Sequence, residues 1–202
     1  MVMSDPPSSR HGAEYWNLIA DWYSGAYDDK WSNQENRWVQ TLLRSTLSLE
    51  SDGLVVDVGT GQGLAVALLG RHECKIVGVD TSARMLGHFP RGPQAFAVLA
   101  DATCLPLSDR SASSAISLFS SLSYLPDLDE SVSEISRVLR DESPFVIMLL
   151  GRFSLERLVR FEFSRTGEYG TYGAPVTGAR VRFYSPRVVK VFEANGLLFE
   201  RV

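Results

Sequence analysis

The sequence is poor in cysteine, in histidine and in long apolar runs, and each shortage removes a class of protein. Its 202 residues hold two cysteines, Cys74 and Cys104, and three histidines, His11, His72 and His88. The cysteines form no CxxC, and His72 beside Cys74 cannot supply the four ligands of a structural zinc site. Neither a disulfide framework nor a metal centre is expected, which makes a reducing cytoplasm the natural setting. The apolar run FVIMLL at 145–150 is far short of the ~20 residues that cross a bilayer. The opening MVMSDPPSSRHG lacks the apolar h-region of a signal peptide. An excess of basic groups is missing too, with 20 Lys and Arg against 24 Asp and Glu. Neither nucleic acid nor a membrane is therefore an expected partner.

What is present is ordinary globular composition, 45% apolar and 22% charged, at a length that suits one domain. The charge is uneven. Residues 1–150 carry 11 basic and 19 acidic side chains, whereas residues 151–202 carry 9 basic and 5 acidic. A locally basic last quarter sits on an acidic body.

Residues 1–12 are rich in Ser, Pro and Gly and read as a disordered tail; 13–202 read as a single domain. Two helices are expected within 13–50, at about 13–23, with Trp16, Ile19, Ala20 and Tyr23 in one stripe, and at about 31–47. After Gly53, short β-rich runs alternate with helical segments. Strands are expected at 54–58, 75–79, 95–99, 114–119, 144–150 and 197–202. Helices are expected at about 64–71, 82–88, 128–140, 154–163 and 186–194. Near-continuous Val/Ile/Leu strands separated by helices predict an α/β fold, a mostly parallel sheet covered on both faces.

The chemistry-bearing signal is VVDVGTGQG at 55–63, a strand running into Gly59, Gly61 and Gly63 and then a helix. Glycines at such a turn let the chain curve tightly and let a ligand touch main chain. Position 64 is Leu, where the dinucleotide fingerprint GxGxxG wants glycine or alanine, so the spacing is GxGxG. The second strand ends in Asp80, followed by Thr81, and the third in Ala100-Asp101-Ala102. A carboxylate at the second strand tip accepts ribose hydroxyls. A second acid directly after the third strand favours an adenosyl ligand over a nicotinamide dinucleotide.

VVDVGTGQG, VGVDTSARML and LADATCLPL together resemble the class I S-adenosylmethionine-dependent methyltransferases, a likeness running from about Gly53 to Val202. The resemblance implies a three-layer Rossmann-like fold and S-adenosylmethionine as cofactor. It implies that Asp57, Gly59, Thr60, Gly61 and Gly63 line the methionine and ribose end. It gives the ribose hydroxyls to Asp80 beside Thr81, the adenine amine to Asp101, and the adenine ring to the Ala102 backbone and Met85. The loop after the fourth strand, Phe119 to Leu125, would face the transferable methyl, so Phe119 joins the cofactor set and Ser121 and Tyr124 become candidate substrate contacts. That loop lacks the Asn/Asp-Pro-Pro-Tyr/Phe pattern of nucleic-acid amino-methylases. Departures lie in the turn at 140–144, in Ser113-Ser114 where an Asp commonly opens the fourth strand, and in the apparent absence of a seventh strand.

The bland alternatives are specific. Asp80 would serve equally as a helix cap, and the glycines as a bare turn. Trp16, Tyr23 and Tyr27 are either core packing or a lid over the cofactor, which makes Tyr27 a substrate candidate. Residues 151–184 read as a substrate-side insertion whose arginines, Arg152 foremost, meet an anionic group on a small molecule or merely lie on a solvated face. Within it, 167–178 reads as a mobile loop. No side chain is marked as a base by spacing; Tyr124 and His11 are the nearest candidates. The expected function is methyl transfer to O, N or C of a small molecule. An NAD-dependent oxidoreductase and a non-catalytic S-adenosylmethionine-binding protein stand as alternatives.

Overall fold

The strand at Leu54–Val58 (β1) is buried on both faces, with Val55, Val56 and Val58 each at 0% exposure. Only a central strand of a covered parallel sheet demands that. In the computed structural model, which describes residues 9–26, 30–47, 49–70, 74–151, 166–169, 179–182 and 184–199, that is its place. The other strands are Lys75–Asp80 (β2), Ala95–Leu99 (β3), Ser114–Ser117 (β4) and Phe145–Ile147 (β5). The order is β3-β2-β1-β4-β5, all parallel. The chain leaves β1 toward β2 and β3, then returns to place β4 on β1's other side. The crevice between the β1 and β4 tips is thus a topological switch point, where open α/β sheets bind ligands.

Helices Ser9–Ala26 (α1), Lys30–Thr46 (α2), Leu64–Leu69 (α3), Ala83–Gly87 (α4), Leu128–Val138 (α5) and Val189–Ala194 (α6) complete the layers. One face of the sheet packs Val56, Val58 and Ala115 on Val132, Ile135 and Phe192 of α5 and α6. The other packs Val55, Ile76 and Ile116 on Val39, Leu43 and Leu69 of α2 and α3. Each such side chain contributes about 1.5–3 kcal/mol by leaving water.

Helix ends follow sequence chemistry. Ser82 caps α4 by accepting the Met85 amide, and Asp127 accepts the Asp129 amide at the start of α5. Ser185 precedes Pro186 in a short 3₁₀ turn leading into α6, but its side chain makes no cap bond. Gly196 takes φ +81 after α6, as its position predicts.

Five expectations change, the first being that the strand expected at 144–150 is confined to Phe145–Ile147. Helix α1 starts at Ser9, inside the expected tail, while residues 1–8 lie outside the described residues. Strand β4 stops at Ser117 because Phe119 and Ser120 turn to φ +50 and +65, which no strand accommodates. The run at 197–202 gives no strand over its described part: the Leu197 amide folds back onto the Phe192 carbonyl at 3.0 Å, and Phe199 meets Phe145 and Phe192 edge-on. These apolar residues plug the end of α6 rather than extend the sheet. The expected loop at 167–178 has strands at its ends, Thr166–Tyr169 (β6) paired antiparallel with Ala179–Arg182 (β7). The helix expected at 154–163 lies outside the described residues. Neither Cys74 nor Cys104 is in a disulfide, and no cluster of potential metal ligands occurs among the described residues. None of their helices is long and apolar enough to cross a membrane.

Candidate functional site

The loop after β1 is folded over the end of β2. The amides of Gly59 and Thr60 both donate to the Val79 carbonyl, at 2.8 and 3.0 Å. Gly59, Gly61 and Gly63 take φ +72, +56 and +79, conformations in which any side chain is strained. Their surroundings differ. A Cβ on Gly59 would stand 2.4 Å from Ser121 Cβ, and one on Gly63 would stand 2.6 Å from Pro90 and 2.7 Å from Phe89. At Gly61 nothing lies within 4 Å. The three glycines thus differ: a side chain at Gly59 or Gly63 would strike the protein itself, whereas Gly61 borders open space.

Asp80, at the tip of β2, closes the two loops on each other. Its Oδ2 accepts the Gly61 amide and its Oδ1 the Ser82 amide, both at 2.8 Å. Burial pushes its carboxyl above the usual range, against the amides of Ser82, Gly61 and Thr81. A carboxylate offers about four acceptor positions, so these three amides leave one for a hydroxyl from a ligand. Asp57 lies deeper, 2% exposed, its Oδ2 accepting the Thr60 hydroxyl at 2.5 Å. Burial pushes Asp57 up to about 7; the Thr60 hydrogen bond opposes this and the Asp80 charge adds to it. Asp57 thus sits under the loop as a brace.

The β3 tip is drawn beside that of β2 by the Ala100 amide, which donates to the Asp80 carbonyl at 3.1 Å. Asp101 Oδ1 accepts the Thr103 amide and hydroxyl, each at 2.9 Å. The Ala102 side chain is buried in the core cluster facing α5. Met85 departs from expectation: it packs with Tyr15, Ile19 and Ala20 of α1, and 2% exposure leaves almost no surface for an adenine ring.

At the β4 tip, Phe119 and Ser120 are consecutive non-glycine residues in the left-handed region, a conformation that costs roughly 1–3 kcal/mol each. They swing a 3₁₀ turn, Ser121–Tyr124, across the crevice. Ser121 is corrected from substrate contact to clasp: its hydroxyl lies 2.8 Å from the Gly59 carbonyl and 3.0 Å from that of Leu118. Tyr124 meets Trp16 edge-to-face at 5.0 Å. Strand β7 packs against this turn and against α1, which brings Ala179–Arg182 to the same rim. Tyr27, Arg152 and the side chain of His11 lie outside the described residues. His88 is an exposed surface group paired with Asp21 at 3.1 Å.

Sequence reasoning missed how α1 is fastened here. Gln62 donates to the Ala20 carbonyl at 2.5 Å. Asn17 Oδ1 accepts the Ser82 hydroxyl at 2.7 Å and the Arg84 amide at 3.1 Å. Asp21 binds Arg84 and His88, and its carboxyl is held below the usual range by the His88 hydrogen bond and the Arg84 charge. Helix α1 therefore touches the loops after β1, β2 and β4, with Trp16 stacked edgewise between Tyr15, Tyr23 and Tyr124. The available signal was polar: Asn17 and Asp21 are one helical turn apart beside the apolar stripe.

Comparison with known proteins agrees with this fold. Residues 56–147 match the family described as the methyltransferase domain. The uncharacterized protein MJ1252 of Methanocaldococcus jannaschii is 26% identical over 149 residues, 73% of this chain and 55% of its own length. The chain thus spans about half of that curated relative. Among solved structures, the [4+2]-cyclase SpnF superposes with a TM-score of 0.75 at 16% identity, covering 96% of this chain and 74% of SpnF. A SAM-dependent methyltransferase of Methanosarcina mazei superposes at 0.61 and 17%, covering 76% of this chain and 82% of its own. At these identities the structural likenesses show the fold.

Proposed function

We propose that this chain, which has the class I S-adenosylmethionine-dependent methyltransferase fold, binds that cofactor between Gly61, Asp80 and Asp101 and passes its methyl group to a small-molecule acceptor. The observation that carries the reading is the Gly61–Asp80 pair, an open glycine edge beside a braced carboxylate with acceptor capacity to spare. The donor set fits an adenosyl group: Asp80 has an acceptor position left for a ribose hydroxyl, and Asp101 has a second oxygen beyond the one committed to Thr103.

When bound, S-adenosylmethionine supplies a methyl group on a positively charged sulfur, already electrophilic enough to need no further activation. The work left to the chain is alignment and exclusion of water, and good alignment supplies roughly 7–11 kcal/mol of a barrier. Gly59 and Ser121 clasp the β1 and β4 loops into one wall. Trp16 and Tyr124 form an aromatic roof at the β4 side, and β7 closes the rim. The acceptor carries an anionic group in this reading, because residues 151–202 are locally basic and β7, ending in Arg182, abuts the Tyr124 turn. Labelled methyl transfer to a panel of acidic and neutral small molecules tests it; transfer confined to neutral ones removes the anionic requirement.

A second reading follows from SpnF, named for a cyclisation, which covers 96% of this chain. The same enclosure would fold a substrate for ring closure with the cofactor's methyl retained. Product formation without label incorporation selects that reading.

A further inference from the structure

Asn17 is on α1, far along the chain from the glycine loop, yet it ends a continuous hydrogen-bonded path to it. The Gly61 amide donates to Asp80 Oδ2, Asp80 Oδ1 accepts the Ser82 amide, and the Ser82 hydroxyl donates to Asn17 Oδ1. Ser82 is fully buried, and its oxygen also accepts the Met85 amide, so its proton has one direction left to go. Asn17 Oδ1 takes the Arg84 amide as well, so the same oxygen holds the first turn of α4. On the other side of Gly61, Gln62 grips the Ala20 carbonyl, three residues further along α1. The helix thus holds the Gly61–Asp80 contact from both flanks.

We propose that Asn17 is a positioning residue for the cofactor: through Ser82 it sets the orientation of the Asp80 carboxylate, and so makes α1 docking and adenosyl binding mutually dependent. This rests on the methyltransferase reading of the site. The coupling is reciprocal by thermodynamic necessity, since whatever α1 adds to cofactor affinity, the cofactor adds to α1 docking. Both bonds use the Oδ1 acceptor. An aspartate at position 17 therefore keeps the function, and a leucine of similar shape removes it.

The test measures S-adenosylhomocysteine affinity by calorimetry and amide exchange of α1 with and without that ligand. Asn17→Leu should weaken binding by about tenfold, the scale of losing a hydrogen bond at a buried partner, and should speed α1 exchange in the ligand-free protein. Asn17→Asp should bind within about twofold of the wild type on the same scale. The Asn17→Leu effect on affinity should vanish in a Ser82→Ala background, because the path through Ser82 is already cut, while part of its effect on α1 exchange persists through the lost Arg84 amide bond. Leu18→Ala, on the exposed side of α1, serves as control. Unchanged affinity in Asn17→Leu, equal losses in the leucine and aspartate variants, or a full Asn17→Leu effect without the Ser82 hydroxyl would each overturn the proposal. Wild-type protein that binds no adenosyl ligand would instead overturn the reading beneath it.

Discussion

Asp80 and Gly61, 19 residues apart in the chain, meet at 2.8 Å through the carboxylate Oδ2 and the backbone amide. The tips of β1 and β2 are thereby joined by the protein's own groups, and the carboxylate is aimed by the backbone it braces. Preorganisation of this kind lowers the cost of ordering a site on binding.

The unequal surroundings of the glycines predict unequal mutants. Gly59→Ala puts a Cβ 2.4 Å from Ser121 and should destabilise the fold by several kcal/mol, with the thermal midpoint as readout. Gly61→Ala meets nothing within 4 Å, so only the left-handed backbone penalty of about 1–2 kcal/mol applies. Its main effect should be on cofactor affinity. Equal stability losses at the two positions would remove the distinction drawn between them.

Asp57 makes stability depend on pH. Its folded-state value of about 7 exceeds the ~3.9 of an unfolded aspartate, so between these values the folded chain holds a proton that the unfolded chain has released. Stability contributed by the protonated group is present below the lower value and lost as pH rises through the higher one. Asp80, raised in the same direction, adds to the fall. Asp57→Asn should therefore gain thermal midpoint relative to wild type as pH goes from about 5 to about 8. A constant difference across that range would contradict the assignment.

Arg137 should matter for the loop behind the site. It binds Glu134, Asp109 and the carbonyls of Leu105 and Leu107, while Glu134 accepts the Leu105 amide. The Arg137 hydrogen bond holds the Glu134 carboxyl below its usual range, so this stabilisation is present above the unfolded value and lost as pH falls through the folded one. Arg137→Leu should cost about 1–3 kcal/mol near neutral pH and less in acid, checked by urea unfolding at both.

Trp16 separates roofing from cofactor binding. Trp16→Ala removes the edge-to-face contact with Tyr124. It should slow methyl transfer by about tenfold through looser alignment while leaving S-adenosylhomocysteine affinity near wild type. A loss confined to cofactor affinity would move Trp16 to the adenosyl side.

Much of this was legible in the sequence, for physical reasons. Strand β1 falls where its apolar run predicts, because a strand buried on both faces leaves little freedom of composition, and β3, at the sheet edge, falls where its run predicts as well. The places of Asp80 and Asp101 at the strand tips were legible because a polar residue ending such a run stands out. The run at 197–202 misled because apolar residues plug a helix end as readily as they form a strand; Gly196 was the cue that the chain turns back. Met85 misled because its place in the helix after Asp80, which the resemblance assigned to the adenine, does not say what buries it. The partners of Asn17 and Gln62 were not legible, because they are backbone atoms and a hydroxyl on other elements; the polar spacing of Asn17 and Asp21 marked only a face.

The most direct test of the cofactor site is a calorimetric titration of the folded chain with S-adenosylhomocysteine, alongside Asp80→Ala. One-to-one binding by the wild type, weakened by tenfold or more (about 1.4 kcal/mol) in Asp80→Ala, is the predicted result. Binding that is indifferent to Asp80, or no heat with either this ligand or S-adenosylmethionine, would contradict it.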